Sequence, residues 1–248
     1  MSALVLALFA GAVVGLALGA LGGGGSVLAV PALIYLLGFT PAAATTASLL
    51  IVTATSLTAL YAHARAGHVR WKAGAAFAAA GVLPAALAGA AAARLPQAAL
   101  TIAFAGVAAL AAVMMLRPAA AAAESRGVRP GRAAGAGAGL GALTGLLGVG
   151  GGFLAVPALV TVLAFEMQAA VGTSLLVITV NSLASLATRF GAAGSLDWAV
   201  VGPFTAAAVL GAWDGKRLAA KVSGPRLQRL FAFVLLGVAA FMLVEAVM

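Results

Sequence analysis

Long apolar stretches separated by short polar ones make up most of this chain. Most of them approach the roughly 20 residues that a helix needs to cross the hydrocarbon core of a bilayer. The apolar stretches cover about 2–20, 26–39, 42–63, 72–93, 98–116, 133–148, 152–165, 168–188, 197–214 and 227–247. This pattern predicts an all-α polytopic membrane protein with five segments on each side of a polar stretch at 117–132. The second segment of each set is short, and glycines precede it.

The composition agrees with a protein embedded in lipid. Hydrophobic residues make up 64% of the 248 positions and charged residues 8%, whereas a soluble domain carries about 25% charged residues because its surface faces water. No basic residue precedes the first apolar stretch and another apolar segment follows it, so we expect this stretch to belong to the mature chain rather than to a signal peptide. The chain has no cysteine, which excludes disulfides and thiolate metal sites.

The two sets of segments are related by an internal duplication. A shift of 126 residues places GGGGSVLAVPAL at 22–33 on GVGGGFLAVPAL at 148–159, with identical residues at nine of twelve positions. The same shift, with one inserted residue late in the repeat, also superimposes Ser48 on Ser174, Ser56 on Ser182 and Trp71 on Trp198. A fixed period of this kind predicts two repeats, at 1–116 and 133–248, joined by a linker at 117–132.

Basic residues concentrate in three clusters, at 65–72, 117–132 and 216–229. Because Lys and Arg gather in the cytoplasmic loops of membrane proteins, we place these clusters on the cytoplasmic side, which leaves Arg94 and Arg189 outside. Both termini are then periplasmic, and the two repeats have inverted topology. A parallel arrangement would put the cluster at 216–229 outside. The sequence leaves open whether the short segments at 26–39 and 152–165 cross the membrane fully or re-enter it.

The glycines before the short segments interrupt helices at membrane depth. Irregular backbone is tolerated there only inside protein or beside a wet cavity, so we expect 22–25 and 148–152 to face inward. Where the helices restart, their first amides lack intrahelical partners and carry the positive end of the helix dipole, which favours an anion. Inverted repeats with such breaks are typical of secondary transporters. Pro31 and Pro157 are expected to bend the restarted segments.

Close helix packing is the alternative explanation for glycines in membrane helices. Gly11, Gly15 and Gly19 are spaced by four and therefore lie on one face of the first segment. Gly135 and Gly139 have the same spacing in the sixth segment. We expect a packing role for these five glycines, and the alternative stays open for the two breaks.

Small polar side chains follow each break, in TTASLLIVTATS at 45–56 and VGTSLLVITVNS at 171–182. A hydroxyl in a membrane helix often bonds back to the carbonyl one turn earlier, and this stays the alternative for each residue. Neutral donors suit an oxyanion, and Asn181 is the most polar of them. The predicted substrate-binding residues are Gly24, Gly25, Ser26, Thr46, Ser48, Ser56, Gly150, Gly151, Gly152, Thr173, Ser174, Asn181 and Ser182.

Acidic side chains are absent from the middle of the apolar stretches, where a proton relay or cation site would need them. This absence favours an anion over sodium or a metal ion. His63 and His68 flank the basic loop, and we expect them at the interface rather than in a metal site; Trp71 and Trp198 fit the aromatic belt. The sequence has neither a phosphate-binding loop nor a nucleophile–base pair, so we expect no cofactor, no ATP-driven step and no enzyme activity.

Each glycine motif is followed by a stretch similar to A-x-x-T-S, AAATTASLL in the first half and AAVGTSLL in the second, and then by GHVRW or GSLDW. Together these motifs resemble the TauE/SafE sulfite exporter family over essentially the whole chain. The resemblance implies transport of sulfite, sulfoacetate or a related organosulfonate, outward across a bacterial inner membrane. The first half departs from the pattern, with Thr46-Ala47-Ser48 where the second half has Gly172-Thr173-Ser174, so an asymmetric site is expected.

We therefore predict a secondary transporter that exports sulfite or a related small sulfur-containing organic anion by alternating access. Two alternatives stay open: an importer of a sulfur oxyanion or another small solute, and a non-transporting membrane scaffold or subunit of a larger complex. The expected partners are the anion and the lipid bilayer, and a homo-oligomer is compatible with the sequence. The net charge of +9 suits cytoplasmic loops rather than nucleic acid, for which no polar domain exists.

Overall fold

The structure is a computed structural model that describes residues 2–92, 97–116, 130–147, 152–188 and 196–247. Most of these residues are helical, and no strand occurs among them. The helices are α1 Ser2–Leu21, α2 Gly24–Pro31, α3 Pro41–Arg65, α4 Trp71–Ala92, α5 Gln97–Leu116, α6 Pro130–Leu147, α7 Gly152–Thr161, α8 Met167–Thr188, α9 Trp198–Ala220 and α10 Gly224–Val247, with a π-helical segment Ala32–Leu36 after α2. Most of the predicted linker, and 148–151 of the second glycine motif, lie outside the described residues.

Several helices have the length and surface of membrane spans. Large apolar side chains point outward, and those of Phe9 and Leu210 are 68% and 70% exposed. Such a surface is unfavourable in water and favourable against lipid tails. The prediction of an all-α polytopic membrane protein is confirmed. Among the described residues, four helical stretches are long and apolar enough to cross a bilayer, namely Ala3–Leu21, Ala43–Arg65, Met167–Leu186 and Gly224–Phe241.

The second helix of each half is short. α7 has ten residues, which gives a length of about 15 Å, roughly half the thickness of the hydrocarbon core. α2 has eight residues, and the π-helical segment extends it to Leu36. Neither short helix spans the hydrocarbon core by itself.

The two prolines of the glycine motifs lie in different local structures. The π-helical segment begins directly after Pro31, whose missing N–H disturbs the regular helical ladder. Pro157 lies inside α7, and its carbonyl accepts the hydroxyl of Thr161 at 2.7 Å. Bending at either proline stays a prediction.

Both short helices end in the same turn. The N–H of Phe39 bonds to the carbonyl of Leu33 at 3.1 Å, and the corresponding bond recurs 126 residues later at 3.0 Å. This six-to-one bond is that of a Schellman motif, which requires a left-handed residue before the donor. Gly38 has a φ of 71° and Ala164 a φ of 53°. The alanine therefore carries strain of about 1–2 kcal/mol that the glycine avoids.

α1 packs lengthwise against α9 through a row of glycines. A methyl group placed on Gly11, Gly15 or Gly19 would overlap backbone atoms of α9. The α9 residues met are, in the same order, Phe204, Ala208 and Ala212. The contacts advance along both helices together, so α1 and α9 run parallel with their backbones touching. The predicted packing role of these three glycines is confirmed.

The same contact recurs between α6 and α4. A methyl group on Gly137 would overlap the backbone of Phe77, and one on Gly141 would overlap that of Gly81. Gly137 and Gly141 lie 126 residues after the first two glycines of the α1 row. Small residues at these positions let the two backbones approach closely, as is common in membranes.

The packing prediction is wrong for Gly135 and Gly139. A methyl group on either one would meet no atom of the described residues within 4 Å. Two residues correspond to a rotation of about 200° around a helix, so the face of Gly135 and Gly139 is opposite to the packed face. α6 has glycine at every second position from 135 to 141, and the fold uses one of the two rows.

Helices of one half of the chain pack against helices of the other half, and several of these contacts occur twice, once for each half. α1 contacts α9, and the corresponding helices α6 and α4 also contact each other. In the same way, α3 contacts α9 and α8 contacts α4. α3 packs on α8, α5 on α10 and α2 on α7, so these helices contact their own counterparts. This is the contact pattern of a twofold relation whose axis passes between each such pair. The orientation of each half in a membrane stays a prediction.

Replacing Gly141 by alanine is expected to destabilise the protein, because the methyl group would overlap the backbone of Gly81 and push α4 from α6. Overpacking of this kind costs about 1–3 kcal/mol. Gly139→Ala is the matched control, and its open site together with the helix preference of alanine should make it neutral or stabilising. Thermal unfolding in detergent measures both changes. Equal melting of G141A and G139A would contradict the close contact of α4 and α6.

Replacing Ala164 by glycine is expected to stabilise the protein by about 1 kcal/mol, because glycine adopts a positive φ without a steric clash. The reverse change at the counterpart, Gly38→Ala, should destabilise by a similar amount, since no neighbouring atom lies within 4 Å to add a second effect. Melting temperatures of the two purified variants test the turn. A lower melting temperature for A164G than for the wild type would show that the turn is not left-handed.

Candidate functional site

Gly22 ends α1 at the first glycine break. Its N–H bonds to the carbonyl of Leu18 at 2.8 Å, and its φ of 69° is the left-handed conformation of a helix C-terminal cap. A methyl group on Gly22 would lie 2.6 Å from the hydroxyl oxygen of Ser174 and 3.2 Å from the side chain of Val156. The first break therefore lies directly against α7 and α8 of the other half.

The helices that follow the two breaks come together. Gly23 is the N-cap of α2 and has no side chain to bond the first amides, which belong to 24–26. Gly152 opens α7, whereas Gly150 and Gly151 lie outside the described residues. α2 and α7 contact each other. The two restarted helices, each predicted to present free amides, are thus neighbours.

Several hydroxyls after the breaks bond to their own helices. The hydroxyl of Ser48 donates to the carbonyl of Thr45 at 2.9 Å, and that of Ser174 donates to Val171 at 2.8 Å. The alternative of a bond one turn back is therefore correct for these two serines in this conformation. Thr46 is buried on α3 beside them.

Thr173 fastens the loop between α3 and α4 to the start of α8. Its buried hydroxyl accepts the backbone N–H of Arg70 at 3.1 Å. A methyl group on the preceding Gly172 would lie 2.7 Å from the carbonyl oxygen of His68. Thr173 therefore has a structural partner from the other half of the chain, which the sequence did not indicate.

α3 and α8 meet at a pair of buried hydroxyls. The oxygens of Ser56 and Thr179 lie 3.0 Å apart and share a hydrogen bond. Each hydroxyl has a single proton to donate, and the carbonyls of Thr53 and Leu175 are further acceptors at 3.2 and 2.8 Å. This small network is a direct polar link between the two halves of the protein.

Ser182 lies one turn beyond Thr179 and is 2% exposed. Its hydroxyl finds no hydrogen-bond partner in the part of the chain that the structure describes. A buried hydroxyl without a partner costs about 1–3 kcal/mol, and such a group needs an explanation. Asn181, the adjacent residue, is partly buried. The region beside the α3–α8 crossing therefore holds unused hydrogen-bonding capacity.

α3 and α8 run past each other in opposite directions. α3 leads from Ser56, opposite Thr179, to His63, which lines one cavity with Val171 and Gln168 near the start of α8. These helices occupy corresponding places in the two repeats. Opposite directions of corresponding helices are expected of inverted repeats, and the inverted topology of the two halves in a membrane stays a prediction.

Three residues outside the predicted set, Thr53, Thr179 and His63, contribute to this region. The duplication aligns Thr53 with Thr179. This alignment was the feature of the sequence that could have identified these two threonines as part of the site. His63 belongs to the last turn of α3, and its Nε2 lies 3.2 Å from the carbonyl oxygen of Gly19. His63 is buried in the protein at the end of α3, and its position at the membrane interface stays a prediction. Its spacing of seven from Ser56 places it on the same helix face.

The polar chemistry here consists of hydroxyls, amides and imidazoles. Within the described ranges, no group of three or more His, Asp or Glu side chains could hold a metal ion. The ion pair of Arg217 with Asp214, at 3.5 Å, is exposed on α9, far along that helix from its start. An anion bound in the interior would be held by neutral donors.

Comparison with known proteins gives consistent matches. The family described as Sulfite exporter TauE/SafE matches residues 7–242. The chain is 33% identical to a "Probable membrane transporter protein" of Xylella fastidiosa strain 9a5c, over 97% of this chain and 95% of that protein. It is 31% identical, with the same coverage, to a protein of that name from strain Temecula1.

A shorter match covers about a third of the chain. The "Probable membrane transporter protein YunE" of Bacillus subtilis strain 168 is 34% identical over 34% of this chain and 29% of its own length. No solved structure shows a significant match.

Ser182→Ala is expected to leave stability unchanged or to raise it by up to about 1–3 kcal/mol, because it removes an unsatisfied buried hydroxyl. The counterpart change Ser56→Ala should destabilise by about 1 kcal/mol, because Thr179 then loses its bond across the two helices. Thermal unfolding of both variants in one detergent measures the difference. If S182A melted well below S56A, Ser182 would have a partner in the folded protein.

Proposed function

Because this chain belongs to the sulfite exporter TauE/SafE family, we propose that it is a secondary transporter that exports sulfite or a related small sulfur-containing organic anion across the bacterial inner membrane. The family resemblance read from the motifs is confirmed, and the chain is a multi-pass membrane transporter. The sulfur anion, the outward direction and the inner membrane are the proposal. They take support from the family description and from the neutral donors of the interior.

The α3–α8 crossing carries the proposed site. Two counterpart helices meet there with buried hydroxyls on both, and Ser182 is without a partner among the described residues. Transporters with inverted repeats bind their substrates at the interface of the repeats. An oxyanion there would accept the proton of Ser182 and the amide of Asn181. The first amides of α2 and α7 would complete the shell.

The buried hydroxyls support alternating access in a specific way. Ser56 bonds with Thr179 in this conformation. In the counterpart pair, Thr53 bonds to the carbonyl of Leu49 at 2.6 Å, and Ser182 has no partner among the residues that the structure describes. If the two halves exchanged their conformations, the bond between Ser56 and Thr179 would break and a bond between Thr53 and Ser182 would form. Since each bond contributes about 1 kcal/mol net, the exchange would change the free energy little. Alternating access needs two states of similar free energy.

The position of the basic loops supports the proposed orientation. Arg65 of α3 and Lys216 and Arg217 of α9 line one cavity, so the loops after these helices lie at the same end of the bundle. We assign this end to the cytoplasm, because basic residues gather there, with both termini periplasmic and the repeats inverted. Moving one negative charge outward would then gain about 2.3 kcal/mol per 100 mV.

Sulfite efflux from proteoliposomes tests the function and the site together. We expect saturable efflux from the wild type that increases with an inside-negative potential. Ser182→Ala and Asn181→Ala should each slow efflux by about tenfold or more, because each removes a bond worth about 1.4 kcal/mol or more to a charged ligand, and Gly151→Leu should block the second break. Thr205→Val is the control, since this hydroxyl bonds within α9 at 2.7 Å.

The outcomes separate the alternatives. Absence of both sulfite flux and thermal stabilisation by sulfite or a sulfonate in the wild type would reject the proposed substrate and favour a scaffold. Net uptake of sulfite against the potential would indicate an importer. Wild-type efflux in S182A, N181A and G151L alike would place the substrate elsewhere in the protein.

A further inference from the structure

A second group of polar side chains lies at the basic end of the bundle. A cavity there is lined by His63, His68, Gln168 and Lys216, and small apolar residues complete its walls; we call it the histidine pocket. Its walls enclose about 250 Å³ including the open mouth, of which about 10 Å³ admits the centre of a water molecule. In this conformation the histidine pocket therefore has room for roughly one water.

His63 is the buried polar group of the histidine pocket, at 3% exposure. A carbonyl oxygen only accepts, so the contact with Gly19 requires the hydrogen on Nε2 of His63. Nδ1 of the neutral ring then presents a lone pair, and it finds no partner within the described residues. The same holds for Nδ1 of His68, whose ring centroid is 5.8 Å from that of His63. The histidine pocket thus contains a buried acceptor with nothing to accept.

The histidine pocket adjoins the first glycine break. Val171 lines it, and the carbonyl of Val171 accepts the hydroxyl of Ser174, the residue that lies against Gly22. Ala20, two residues before Gly22, also lines it. The histidine pocket, at the basic end of the bundle, therefore borders the break where the substrate is expected.

We propose that the histidine pocket binds the transported oxyanion together with one proton, a step that rests on the proposed anion transport. Lys216 supplies a positive charge and Gln168 a neutral donor. Nδ1 of His63 either accepts the O–H of a singly protonated oxyanion, such as hydrogen sulfite, or takes a proton from water and donates it to the fully ionised anion. By either route, the occupied pocket contains one fully ionised anion and one proton, and the proton lies between the anion and the imidazole of His63.

The charges around His63 explain why anion and proton would bind together. The other titratable groups that line the histidine pocket are His68 from the loop after α3 and Lys216 from α9, whereas its lining residues from α1, α8 and α10 are uncharged. A second positive charge beside Lys216 is unfavourable unless an anion lies between them. Lys216 and Gln168 are partly exposed, and their outward rotation would admit a ligand larger than water.

Calorimetric titration of the full chain with sulfite tests the linkage. At a pH where sulfite is mostly the dianion, titrations in two buffers of different ionisation enthalpy should report uptake of about one proton per anion. The affinity for sulfite should then fall about tenfold for each unit of rising pH. His63→Gln keeps an N–H for the carbonyl of Gly19 and replaces the basic Nδ1 by an amide oxygen that does not take up a proton, so we expect it to lose the proton uptake and at least tenfold in affinity.

Two lysine variants provide a matched pair. Lys216→Gln should weaken sulfite binding by about tenfold, the equivalent of 1.4 kcal/mol, whereas Lys221→Gln, exposed beyond the histidine pocket, should bind like the wild type. Wild-type affinity and proton uptake in H63Q, or equal affinity of K216Q and K221Q, would overturn the proposal. If H63Q failed to fold, the lysine pair would decide it.

The proposed function fails separately from this inference. Sulfite efflux at the wild-type rate in both H63Q and K216Q would show that the histidine pocket does not take part in transport, while the proposed transport of sulfite would still hold. A wild type that neither binds nor moves sulfite would reject both.

Discussion

Helices in a bilayer gain little by hiding apolar surface from equally apolar lipid tails, so they associate where their backbones can touch. In this protein that contact is the glycine row of α1 against α9, repeated by α6 against α4. The first helix of each half is thereby held by the fourth helix of the other half. The halves cannot separate without breaking both contacts. With the first and fourth helices paired in this way, α2 packs on α7 and α3 packs on α8. The buried hydroxyls lie between α3 and α8.

The interrupted helices bring backbone polarity into this interior without leaving it unsatisfied. Gly22 closes the end of α1 through its bond to Leu18, and a Schellman turn closes the end of each short helix. Backbone at membrane depth is stable only when its polar groups are paired or wet. The starts of α2 and α7 are where amides lack intrahelical partners. Because α2 contacts both α3 and α7, and α7 contacts α8, these helix starts belong to the same group of packed helices as the buried hydroxyls of α3 and α8.

The apolar periodicity was sufficient to locate the helices. The segment predicted at 168–188 is α8, Met167–Thr188, because a membrane span is defined by its own composition. The sequence could not identify the contacts between helices. Two glycine rows on α6 have the same spacing, and only the position of α4 selects Gly137 and Gly141. The serines and threonines of the candidate site were likewise predicted as a set, but the pairing of Ser56 with Thr179 depends on how two distant helices cross.

The duplication does not repeat His63 in the second half of the chain. Under the 126-residue shift the counterpart of His63 is Arg189, which lies outside the described residues. An arginine keeps its charge at all physiological pH values, whereas a histidine is found in both neutral and charged forms. Proton uptake at His63, as proposed above, would therefore have no equivalent at position 189 of the second repeat.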